Sequence, residues 1–176
     1  MRMSTSVLAM GLAMFNLGPG RAFAQLVLLD SFDAGTGQLA GAGFDPATDR
    51  VWAYGSSDAS VLAFDRTGAP ITSIARPGEG ANDVDVEFAP ETLTLGGVTV
   101  PAGTMLFING ESGTADVYAV DPTDGTVLAT LVTAFGNNHV VGGAWHPQRD
   151  TLFLVADQFD AAGYNVVQAR NRRASR

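Results

Sequence analysis

The chain has no cysteine in its 176 residues, which excludes a disulfide framework, a thiolate metal site and a cysteine nucleophile. Lysine is absent too, so all 10 basic residues are arginines, set against 18 carboxylates for a net charge of −8. That balance argues against nucleic-acid binding, where affinity comes mainly from neutralising phosphates with Lys and Arg. No apolar run reaches the roughly 20 residues that cross a bilayer core, so no membrane span is expected. There are 2 histidines, His139 and His146, and strand geometry would set them about 23 Å apart, too far to share one zinc. At 46% hydrophobic and 16% charged, the chain is nevertheless too apolar for a disordered polymer and has material for one core.

The N-terminus reads as a targeting signal. Arg2 supplies a positive n-region, Val7 to Leu17 form a short apolar h-region, and Gly18-Pro19-Gly20 break it before the small-x-small site Ala22-Phe23-Ala24. Residues 1–24 are therefore expected to be a signal peptide and Gln25 the first mature residue, giving a secreted or periplasmic protein. At the other end Arg170, Arg172, Arg173 and Arg176 cluster, and 169–176 reads as a basic flexible tail. Between them, Gln25 to Ala169 carries 4 arginines and all 18 carboxylates, a net of −14.

This body, 25–168, repeats itself. Ala42-Gly43-Phe44-Asp45-Pro46, Val86-Glu87-Phe88-Ala89-Pro90 and Gly143-Ala144-Trp145-His146-Pro147 align, with proline spacings of 44 and 57. Each is followed by an apolar run suited to a buried strand: Val51 to Tyr54, Met105 to Ile108, Leu152 to Val155. A second run follows at Val61 to Phe64, Val117 to Val120 and, more weakly, Tyr164 to Val167. Two units then show an aspartate and glycine turn, Asp65 to Gly68 and Asp121 to Gly125, and a last strand, Ile71 to Ile74 and Val127 to Leu131. Leu26 to Phe32 reads as such a last strand from a preceding unit. The longer second period is explained by an insertion, Thr92 to Gly103, between first and second strands. Four short strands per unit at a period in the 40s predict an all-β fold of β-propeller-like four-stranded antiparallel blades.

The stretch Tyr118 to Leu131, with its weaker copy Leu62 to Gly68, resembles the strand-Asp-turn-Gly-strand element of bacterial YVTN, NHL and quinoprotein-like propeller repeats. The resemblance covers about Leu26 to Val167 and implies a fold shared by binding proteins and enzymes alike, so function does not follow from it. About two full units plus partial ones are present, fewer than the four or more blades of closed propellers, so a partial or truncated propeller is expected. Its open blade edges invite self-association.

In this fold the loops between blades share an end with the loops between second and third strands. That end is expected to gather Glu79, Asn82, Asn109, Glu111, Asn137, Asn138 and His139 as ligand-binding groups, with Asp33, Asp58, Asp157 and Asp160 nearby. Loops are also polar simply because water solvates them. In Asp83-Val84-Asp85-Val86-Glu87-Phe88 the alternation puts Asp83, Asp85 and Glu87 on one face, where they repel unless water, a cation or an arginine intervenes. As first-strand residues they are expected to line the central channel and to be the metal ligands, for Ca2+ as a hard cation. No catalytic residue is assigned: Gly110-Glu111-Ser112-Gly113 lacks a residue of the nucleophile elbow, and no triad, H-E-x-x-H motif or phosphate loop occurs. These readings favour an exported, non-catalytic module that binds a protein, glycan or small ligand, with calcium assisting. The alternative is a calcium-dependent hydrolase of the lactonase or phytase kind found on propellers.

Overall fold

β-Branched and aromatic residues in short alternating runs, punctuated by glycine and aspartate turns, leave no helical periodicity within the repeated units, and the described residues fold as strands accordingly. The structure, a computed structural model, describes residues 31–56, 58–80, 82–109, 115–133, 140–157, 163 and 166–170. The strands run in order β1 (Leu39–Asp45), β2 (Arg50–Gly55), β3 (Ser60–Phe64), β4 (Pro70–Ala75), β5 (Asp85–Phe88), β6 (Leu93–Leu95), β7 (Val98–Val100), β8 (Met105–Ile108), β9 (Val117–Val120), β10 (Val127–Leu131), β11 (Val140–His146), β12 (Thr151–Ala156) and β13 (Val166–Arg170). A single 3-10 turn, Pro147–Arg149, joins β11 to β12.

These strands form three blade-like antiparallel sheets and one hairpin. The first sheet has the order β1-β2-β3-β4 and the second β5-β8-β9-β10; the third holds β11-β12-β13. The expected insertion is the hairpin β6-β7, interposed between the first and second strands of the second unit. It packs toward β10, and buries Leu93, Leu95 and Val100 in the core shared with the third unit. The fold is thus all-β, built of incomplete propeller-like blades that do not close. Of the weak run Tyr164 to Val167, the first two residues lie outside the described residues; the described strand pairs Val166 with Val155 and continues to Arg170, taking in two residues of the stretch read as a tail.

Sheet faces stack on one another. Trp52, Tyr54, Val61, Ala63 and Ile74 of the first sheet meet Val84, Val86, Phe88, Met105, Phe107 and Tyr118 of the second. The opposite face of the second sheet, through Leu106, Ile108, Val117 and Ala119, meets Leu152, Leu154 and Ala156 of the third. Buried on both sides, β8 and β9 are apolar throughout, as a middle layer requires. Tyr54 and Phe107 make an edge-to-face pair at 5.3 Å across the first interface.

Units one and three share one strand register, 101 positions apart as Pro46 is from Pro147. β1 pairs with β2 through Gly43↔Trp52 and Gly41↔Tyr54, and β11 with β12 through Ala144↔Phe153 and Gly142↔Val155; both pairs carry a bulge at the same place. Asp49 and Asp150 take the same left-handed conformation, at φ 59° and 53°.

The two Asp-turn-Gly elements share their chemistry as well. The Asp65 carboxylate accepts from the Thr67 hydroxyl and from the main-chain N–H of Thr67 and Ala69. Asp121 accepts from the hydroxyl and N–H of Thr123 at 2.6 and 2.9 Å. The threonine bond in each case holds the carboxyl below its ordinary value. A folded-state pKa below the unfolded one means stability that is present above the ordinary carboxylate range and lost as pH falls through the folded value. Asp121→Asn keeps an acceptor but cannot ionise, so urea midpoints measured across pH should lose part of their decline below about pH 4. Asp121→Ala should cost about 0.5–1 kcal/mol at neutral pH, as expected for hydrogen bonds at a wet turn.

Candidate functional site

The loops between second and third strands and the loops between units do converge on one end of the stack. The Ser56 hydroxyl, after β2, donates to the side-chain oxygen of Asn82, in the loop from β4 to β5. Arg76, just past β4, donates through Nη1 to the Asp58 carbonyl at 3.1 Å and to the Tyr54 hydroxyl at 3.4 Å. Asn109, just past β8, donates through Nδ2 to the Glu79 carbonyl at 2.9 Å. Glu79, Asn82 and Asn109 thus lie in loops tied at this end of the stack, with Glu79 exposed at the surface. Glu111, Asn137, Asn138 and His139 lie outside the described residues, as do residues 1–24 and Asp160.

Asn109 is the most constrained of these. It is wholly buried, its N–H donates to the Asp116 carbonyl, and its Oδ1 is buried without a hydrogen-bond partner. The Tyr118 hydroxyl is in the same condition, and Gly78, next to Glu79 in sequence and at φ 68°, passes so close that a Cβ there would lie 2.5 Å from that hydroxyl. Only glycine fits at such an approach and conformation. Two unmet polar groups in the walls of one loop end are costly unless water or a ligand meets them. Arg76 and Tyr118 belong to this end although their sequence neighbourhood did not single them out. One visible signal was an arginine isolated in a strongly acidic body.

The acidic strand behaves otherwise. Val84, Val86 and Phe88 turn to the first unit, so the alternate residues Asp85 and Glu87 turn toward the third unit rather than into an open channel. Asp85 Oδ1 accepts from the Val86 N–H, and Oδ2 accepts from the Gly143 N–H of β11 at 3.0 Å, joining two units. Burial, and then the charge of Asp85, push the Glu87 carboxyl above its ordinary value. Asp85 and Glu87 stand where Gly41 and Gly43 stand in the first unit, 44 positions earlier. Asp85 there spaces and bonds neighbouring inner strands. Among the described residues no group of three or more His, Asp or Glu side chains is disposed to hold a metal ion, so Asp83, Asp85 and Glu87 do not converge as a ligand set.

At the opposite end the β1–β2 turn faces the β9–β10 turn across a cleft of about 250 Å³, lined by Asp45, Thr48, Pro101, Asp121 and Thr123 among others. Its carboxylates are already committed, Asp45 to the Ala47 N–H and the Thr48 hydroxyl and Asp121 to Thr123. His146, in the place of Asp45, makes no equivalent cap; its Nδ1 is buried without a partner and its ring lies 6.3 Å from Phe153. Among the described residues no helix is long and apolar enough to cross a membrane.

No protein-family model matches the chain, and no curated protein matches it either.

Proposed function

We propose that the protein is an exported, non-catalytic β-propeller-like binding module of the YVTN, NHL and quinoprotein-like kind, which takes its ligand on the loop end formed by Ser56, Asp58, Glu79, Asn82 and Asn109. The observation that carries this reading is the convergence of loops from two units on one end, tied by the Asn109–Glu79 and Ser56–Asn82 bonds, with the Asn109 carbonyl oxygen left unmet. Amides and carboxylates in such an array suit hydroxyl-rich or cationic ligands, and a glycan offers the hydroxyls. Rigid sheets holding adaptable loops are how such sites are commonly built.

The test is amide NMR of the isotopically labelled chain titrated with a panel of soluble neutral oligosaccharides. Shift changes should cluster at 56–58, 79–83 and 109. Asn82→Ala should weaken the best binder about fivefold, the loss of roughly one hydrogen bond. Changes confined to the opposite end, at 45–48 and 121–123, would overturn the assignment. Export is checked in the same preparation: expressed with its leader in a bacterium, the protein should leave the cytoplasm and begin at Gln25 by mass.

A further inference from the structure

The stacking leaves two sheet faces whose normal covering is shown elsewhere in the same molecule. In the first unit Trp52 and Tyr54 are fully covered by the second unit. Their register equivalents in the third unit are Phe153 and Val155, and there Phe153 is only partly buried, Val155 is 38% exposed and its strand partner Val166 is 51% exposed. These residues, with Ala144, line a shallow groove of about 250 Å³. The reverse holds on the other side. Trp145 and Leu152 of the third unit pack against the second, whereas the equivalents in the first unit, Phe44 and Val51, are 47% exposed and partly buried.

We propose that a second copy of this chain covers the open face of the third unit with the open face of its first unit, continuing the interface already made twice within the chain. The register equivalence defines the occupant: what covers Trp52 and Tyr54 is the face of the next unit, and what Trp145 packs against is the face of the preceding one. Phe44 and Val155 are thus two halves of one interface, carried on opposite ends of one molecule. Phe153, Val155 and Val166 bring no charge to it, and Arg66, 5.8 Å from the Phe44 ring and paired with Asp49, stands at its margin. Ala144 occupies the place of Gly43, so the incoming strand approaches at the distance of a methyl group. The contact is head-to-tail, and such contacts end when they close on themselves. Two copies supply six sheets, within the range of roughly four to eight that closes radially. The proposal stands whichever ligand the loop end takes.

Native mass spectrometry and sedimentation of the full chain test it. The wild-type protein should be a dimer. Phe44→Glu and Val155→Arg alter opposite faces, so each alone should weaken association about tenfold or more. An equimolar mixture should regain dimers, because Phe44 of one variant meets Val155 of the other across one native interface. Both positions are exposed, and Phe44→Ser with Val155→Thr repeats the cycle under milder change should either charged variant misfold. A wild-type monomer at high micromolar concentration overturns the proposal. So does a dimer that Val155→Arg abolishes and Phe44→Glu leaves intact, since third units would then pair with each other. A mixture that stays monomeric overturns it equally.

Discussion

Trp52→Ala should lower stability by about 3–5 kcal/mol, while Phe153→Ala, at the same register position 101 residues on, should cost about 1–1.5 kcal/mol in dilute solution. The side chains are both large, aromatic and central to a second strand; what differs is the neighbour. Trp52 is 1% exposed between the first and second sheets, alongside the Tyr54–Phe107 ring pair, and its removal opens an enclosed void between two packed sheets. Phe153 faces the shallow groove of the third unit, where truncation removes some apolar contact and leaves no enclosed cavity. Urea denaturation at low protein concentration measures both. Equal losses would mean that Phe153 is covered in the monomer and that the stack does not end at the third sheet. Raising the protein concentration should enlarge the Phe153 penalty and leave that of Trp52 unchanged, if the open face of the third unit is covered by a second copy as proposed.

Much of this architecture was legible from spacing alone. Met105 to Ile108, Val117 to Val120 and Val127 to Leu131 are strands with the expected bounds, because each is a short apolar run closed by a turn with a definite chemical requirement. The insertion could be placed because it lengthens one period without disturbing the order of the strands. Its folding into a hairpin that buries Leu93, Leu95 and Val100 was not readable, since two three-residue strands are too short to carry a period. The extent of the last strand was harder to read: Tyr164 to Val167 is an indistinct run, and the register that carries the strand on to Arg170 is set by pairing with β12 rather than by local pattern. Alternation in Asp85 to Phe88 separates two faces and does not say which neighbour each one meets. That depends on stacking, which put Asp85 against the Gly143 N–H, 58 residues away. Convergence of Asn82 and Asn109 on one end follows from blade topology, whereas the burial of Asn109 and its bond to the Glu79 carbonyl depend on a loop path that no periodicity records.

Gly43→Ala is expected to destabilise the protein by about 3 kcal/mol, toward the upper end of what overpacking costs. A Cβ at this position would lie 2.1 Å from the Val86 carbonyl oxygen and 2.9 Å from its carbonyl carbon. Neither partner is a flexible side chain that can rotate away, so β1 and β5 must separate, and with them the sheets that enclose Trp52 and Tyr54. Gly41 makes the same approach to the Val84 oxygen, at 2.3 Å. Gly37→Ala is the control: nothing lies within 4 Å of a Cβ there, and the change should fall within about 0.5 kcal/mol of zero. Comparable small effects at both sites would mean that the first two sheets pack through side chains alone, with slack between their inner strands. The unequal outcome would explain why the same two places hold glycines in the first unit and Asp85 and Glu87 in the second. Where the inner strands β1 and β5 meet, the two backbones leave no room for a Cβ between them. The first unit meets that constraint by leaving out the side chain. The second meets it with a carboxylate that bonds the facing N–H of Gly143 and so turns a crowded position into a tie between units.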